Sequence, residues 1–133
     1  MLYFNNTNTE LLYTPSSFFP VDQMDIYIVA KLIDTATSYD LIGTGSTATP
    51  GHFLQMANYL GKTRSHYWSN TALAVIDSVA ASSTDWKIYG QRVDATTLYG
   101  LFNNVVDNSV ATVGVHPITQ RGLVVGSRTA GGA

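Results

Sequence analysis

Two strand-like runs joined by a short polar turn constrain this chain more than any other feature. The first runs from Trp86 to Asp94. The second runs from Thr97 to Phe102 and is closed by the pair Asn103 and Asn104. Asn tolerates the positive φ that two-residue hairpin turns demand, so the pair predicts a tight turn at the end of the second run. Together with Leu123 to Gly126, this layout predicts an antiparallel β domain. It predicts a shape and names no reaction.

Composition points the same way. The chain has 133 residues, one domain's worth and enough to bury a core. Its hydrophobic fraction of 45% suits a globular fold, while its charged fraction of 12% is about half the usual share. Thr, Ser, Asn and Gly take the place of the missing charge, and these favour strands and turns over helices.

Leu2 to Phe4 and Glu10 to Tyr13 are short strand candidates on either side of a turn at Asn5 to Asn8, and Pro15 and Pro20 break the segment after them. Asp25 to Asp34 is the strongest strand. Ile26, Ile28, Ala30 and Leu32 share one face, and Tyr27, Val29 and Ile33 make the other partly apolar. That double character predicts a place in the middle of a sandwich sheet. Tyr39 to Gly43 is the next strand and ends in the turn-rich Gly43 to Thr47. Gly51 to Tyr59 fits strand or helix by pattern alone, and the hairpin-like Leu60, Gly61 and Lys62 favour strand. Arg64 to Trp68 and Thr71 to Ile76 come next, while Asp77 to Ser83 admits one helical turn. Beyond the Trp86 and Leu98 runs lie Val110 to Val115, a break at Pro117, and Gly122 to Gly126. Roughly ten short strands, with turns about every 8–12 residues, are the pattern of a sandwich or barrel.

The order of these pieces resembles the laminin-G-like, concanavalin A-like lectin–glucanase jelly-roll family. The resemblance rests on Leu2 to Asn6 with Glu10 to Tyr13, on Asp25 to Lys31, on the strand from Trp86 to the turn at Asp94, on Leu98 to Asn104, and on Leu123 to Gly126. Asn104 stands where that family has Gly. The resemblance implies an all-β fold, an antiparallel jelly-roll β-sandwich forming a single domain over residues 1–133. It also implies one more strand pair after Gly126, whereas the chain ends at Ala133. The expectation is therefore a last strand missing and an open sheet edge to which other protein chains pair.

Several chemistries find no support. The seven basic residues (Lys31, Lys62, Arg64, Lys87, Arg92, Arg121 and Arg128) are scattered, so no nucleic-acid footprint exists. No amphipathic basic segment, long apolar run or signal peptide points to a membrane. With no Cys, disulfides and thiolate zinc sites are excluded. Glycoside cleavage needs flanking carboxylates, but Glu10 is the sole Glu and no two acids stand at i and i+2 on a strand. Gly43 to Thr47 and Val125 to Arg128 match neither a nucleophile elbow nor a phosphate loop. His52, His66 and His116 are far apart, and isolated histidines explain them better than a metal site. Calcium occurs in parts of the resembled family, and Asp40, Asp77, Asp94 and Asp107 stand where loop ligands could lie; acids that satisfy turns explain them more simply. The expectation is a chain with no catalytic residue and no cofactor. Asn5-Asn6-Thr7 is a lone glycosylation sequon of little weight.

Aromatics carry the binding signal, because sugar faces stack on Tyr and Trp while Asn, Asp and Arg bond hydroxyls. Tyr59, Arg64, His66, Tyr67, Trp68 and Asn70 form the candidate carbohydrate site, with Trp68 and Tyr59 as its platform. Alternation puts Arg64, His66 and Trp68 on one face of their strand and Tyr67 on the other. A core Trp beside an edge Tyr is the simpler explanation of the same residues, and Trp86 with Ile88 behind it reads as core. The expected function is a non-catalytic carbohydrate-binding or adhesive module, extracellular or on a virion surface, with a glycan or cell-surface polysaccharide as partner. The alternative is a structural or decoration subunit of a phage particle that acts through protein assembly.

Overall fold

The computed structural model describes residues 12–13, 24–45, 54–68, 73–94, 96–112 and 122–125. These form ten strands: β1 (Leu12–Tyr13), β2 (Met24–Lys31), β3 (Tyr39–Gly45), β4 (Leu54–Tyr59), β5 (Lys62–Trp68), β6 (Leu73–Ala81), β7 (Trp86–Val93), β8 (Thr97–Phe102), β9 (Val105–Ala111) and β10 (Gly122–Val125). No helix occurs among the described residues. One sheet has the order β1-β10-β3-β4-β5-β6 and the other β2-β7-β8-β9, every pairing being antiparallel. The expected strand from Leu2 to Phe4, the sequon at Asn5, Glu10, Ser46 and Thr47 of the expected turn and the break at Pro117 lie outside the described residues, while Gly43 to Gly45, expected to open that turn, continue β3 as strand.

The two sheets face each other across a shared core, a β-sandwich. At one end Tyr67, Ala74 and Ile76 of the six-stranded sheet meet Val93 and Leu98 of the four-stranded one. At the other, Leu41, Ile42 and Met56 meet Leu32 and Tyr89. Tyr89 and Phe102 pack edge to face, with ring centroids 5.7 Å apart. Ile26 touches both groups. A bulge between Asp40 and Ile42 lets two consecutive side chains, Leu41 and Ile42, enter the core. The interior also holds polar side chains, Gln91, Asn58, Thr63 and Ser65. Gln91 Nε2 crosses from its own sheet to donate to the carbonyl of His66 on the facing sheet, at 2.9 Å. Asn58 Nδ2 donates to the carbonyls of Thr35 and Thr37, which ties down the loop after β2.

The turns are as tight as the sequence implies. Asn103 and Asn104 hold φ of 51° and 64°, both left-handed, as a two-residue hairpin turn between β8 and β9 requires. Leu60 and Gly61 do the same between β4 and β5, at 48° and 79°. Asp94 Oδ1 accepts the N–H groups of Thr96 and Thr97 at 2.9 and 2.8 Å, closing the β7–β8 turn. Those bonds hold its carboxyl below the usual range, the Thr96 N–H contributing most.

Three sequence expectations change. The region from Asp77 to Ser83, which admitted a helical turn, continues β6 as strand to Ala81. Its irregularity is a bulge, where Thr63 N–H donates to Ser78 Oγ at 2.9 Å in place of a ladder bond. The strand expected from Val110 starts earlier, at Val105, because the tight Asn turn begins it at once, and it runs to Ala111; Val113 to Val115 lie outside the described residues. And β2, expected in the middle of a sheet, has a described strand on one side only, β7.

Two glycines on neighbouring strands separate the faces of the four-stranded sheet. A methyl group at Gly90 would meet the Tyr27 ring at 2.8 Å and Leu101 Cβ at 3.1 Å, whereas one at Gly100 meets nothing within 4 Å. Gly90→Ala should therefore destabilise by about 1–3 kcal/mol through overpacking. Gly100→Ala should stabilise by about 0.5–1 kcal/mol, by restricting the unfolded chain. Urea denaturation of both variants, with opposite shifts of the midpoint, checks the assignment.

Candidate functional site

The outer face of the six-stranded sheet gathers part of the expected site. Along β5, Thr63, Ser65 and Tyr67 are buried, while Arg64 and His66 point the other way, as alternation requires. Arg64 is held on two sides. Its Nε and Nη2 donate to Asp77 Oδ1 and Oδ2 at 2.6 and 2.8 Å, a bidentate pair across strands. Its guanidinium carbon lies 3.7 Å from the centroid of the Tyr59 ring. The hydrogen bond to Arg64 holds the Asp77 carboxyl below its usual range, and the same bond raises the guanidinium. His66 is half-buried in the next row, between Gln55 and Val75. Gln55 Nε2 donates to the buried carboxylate of Asp40.

The structure does not bring the six expected residues together. Tyr67 is only 3% exposed and packs in the core with Ile76 and Leu98, so its ring faces away from Arg64 and His66. Tyr59 is opposite Lys62, at the hairpin end of β5, whereas Trp68 is opposite Leu73 at the far end. Six residues of strand separate the two positions, about 20 Å, so they form no common platform. The Trp68 side chain and Asn70 lie outside the described residues. Tyr59, Arg64 and Asp77 remain as a clamp: the arginine's hydrogen bonds go to the carboxylate and its flat face to the ring.

The acids weighed as calcium ligands have other partners. Asp94 closes its turn. Asp107 accepts the N–H groups of Val79 and Ala80 from β6. Among the described residues no group of three His, Asp or Glu is placed to hold a metal ion; His52 and His116 lie outside them.

A second face presents what the first does not. On the outer side of the four-stranded sheet, pairing sets Lys31 beside Trp86, Val29 beside Ile88, Tyr27 beside Gly90 and Asp25 beside Arg92. Trp86 is 55% exposed and Val29 64%, with Tyr27 and Ile88 also in solvent. Trp86 was expected in the core, and this is a correction. Tyr89, Gln91 and Val93 take the buried parity of β7, which turns Trp86 and Ile88 outward. The absence of a side chain at Gly90 leaves the space beside it to the Tyr27 ring. Leu101 fills the other side of Gly90 and is buried. At the end of the row Arg92 makes a bidentate pair with Asp25, at 2.8 and 2.9 Å. The result is an apolar, aromatic strip about four residues, or about 13 Å, long, with charges at both ends. The signal in the sequence was the partly apolar outer face of β2, which needed only β7's parity to become a surface.

The clamp makes a pH prediction. The Asp77 carboxyl is depressed in the folded state, so its contribution is present above the ordinary carboxylate pKa of about 4 and is lost as pH falls through the lower folded value. Asp77→Asn should cost about 0.5–1 kcal/mol at neutral pH, as for a partly exposed pair. The difference from the native chain should shrink below about pH 4, as read by urea titrations at several pH values. Compared with protein-family models and with curated proteins, the chain matches none.

Proposed function

We propose that this chain is a non-catalytic carbohydrate-binding module of a surface or virion protein, and that it binds glycan on the outer face of the four-stranded sheet. The exposed indole of Trp86, in line with Ile88, Val29 and Tyr27, supports this most strongly. Sugar rings have apolar faces that stack on such a strip, and their hydroxyls find partners at its ends. Lys31 stands beside Trp86 at one end, and Asp25 and Arg92 stand at the other. Of the residues first singled out by sequence, Tyr59 is the weaker platform, because one ring face already carries Arg64.

The finer fold belongs to the same reading. A jelly roll of the concanavalin A-like kind is supported by the long crossovers: β1 pairs with β10, β10 with β3, and β2 with β7. Such a sandwich displays a whole sheet face to a polysaccharide.

The test is a glycan array followed by calorimetric titration of the best ligand. Trp86→Ala should weaken binding at least tenfold, about 1.4 kcal/mol, with the fold unchanged by circular dichroism. Tyr59→Ala should bind as the native chain does. Binding that survives Trp86→Ala, or no binding to any glycan, overturns the proposal.

A further inference from the structure

The described sheets end on four strands, and three of those ends are blunted. β1 is only two residues long. β6 and β9 close on each other: Asp107 of β9 accepts the β6 N–H groups of Val79 and Ala80, and Asn108 Nδ2 donates to the Asp77 carbonyl at 3.0 Å. The fourth, β2, is eight residues long and regular, without a bulge against β7. Long, flat edges of this kind are what proteins usually cover.

The pairing with β7 fixes the direction of the backbone groups on β2 that have no partner strand among the described residues. Ile88 uses both backbone groups toward β8: its carbonyl accepts Asn103 N–H at 2.8 Å and its N–H donates to Asn103 Oδ1 at 3.3 Å. Antiparallel ladders alternate, so Tyr89 and its partner Ile28 exchange bonds. By the same alternation Asp25, Tyr27, Val29 and Lys31 turn their N–H and C=O groups away from β7, toward a side with no described strand.

We propose that β2 pairs with β2 of a second copy, antiparallel about a two-fold axis at Ile28, joining two four-stranded sheets into one. This pairing goes beyond the glycan reading and does not rest on it. The axis sets Asp25 against Lys31 of the second copy, Tyr27 against Val29, and the reciprocal pairs. Those are the residues whose backbone groups point outward, so the hydrogen-bonding parity is right. Their side chains share the outer face and match in character: opposite charges meet at both ends, and an aromatic meets a β-branched residue in the middle. Lys31 has no ion-pair partner among the described residues, and Asp25, already bonded to Arg92, keeps lone pairs for a second cation. A two-fold interface has to be self-complementary in this way. On the inner face Met24, Ile26, Ile28 and Ala30 are only half-buried, and the second copy would cover them further. It would give β2 the mid-sheet place that its doubly apolar pattern calls for.

The test is analytical ultracentrifugation of the full chain over a concentration series. The native chain should be a dimer. Lys31→Asp sets like charges opposite each other twice and should weaken association about tenfold or more; combining it with Asp25→Lys should restore the dimer. Val29→Pro removes a donor from the edge facing away from β7 and none from the β7 ladder, so it should give folded monomer. Conversely, Trp86→Ala should leave the dimer intact. A native monomer at all concentrations, or a dimer indifferent to both Lys31→Asp and Val29→Pro, overturns the proposal.

Discussion

The pairing of β2 with β7 is the constraint on which the rest of the structure depends. Eight consecutive residues, Met24 to Lys31, face Trp86 to Val93 without a shift. A slip of one residue would exchange the faces. With β7 held by β8, Asp25 and Lys31 would then enter the core, and Ile26 and Ile28 would leave it. The bidentate Asp25–Arg92 pair on the outside and the Gln91 amide bonded to the facing sheet on the inside hold one register from both sides. Ile26 belongs to both core groups, so the same strand links the two ends of the sandwich.

This pairing also makes the two outer faces unlike. On the six-stranded sheet, polar groups spend their capacity on each other: Arg64 on Asp77 and Tyr59, and Gln55 on Asp40. On the four-stranded sheet, the charges lie at the ends of an apolar strip that no described residue covers. A glycan platform and an edge for a second copy are two uses of one strand pair. They are compatible, because pairing at β2 would lay two strips side by side without burying either.

Much of the fold was legible in the sequence, for local reasons. The Asn103–Asn104 turn, the Asp94 turn and the Ile26-Ile28-Ala30-Leu32 face all depend on period-two alternation and turn chemistry, which neighbouring residues decide. The features that were not legible depend on partners distant in sequence. Alternation separated Tyr67 from Arg64 and His66, but only packing against Val93 and Leu98 made Tyr67's side the inner one. Trp86 looked like core because large aromatics usually are. Its exposure results from the buried parity being claimed by Tyr89, Gln91 and Val93. Tyr59 and Trp68 are close in sequence, yet the hairpin places them at opposite ends of β5. Beyond Ile76, the bulge and its Ser78 hydroxyl blurred a strand whose apolar pattern had lapsed.

β7 turns Trp86 outward beside Tyr27 while Tyr89 and Gln91 turn inward. Tryptophan fluorescence in a Trp68→Phe background isolates that one indole. Emission should be water-like and red-shifted, and acrylamide should quench it readily in the native state. A blue-shifted emission shielded from acrylamide would put Trp86 in the core and contradict the assignment of faces.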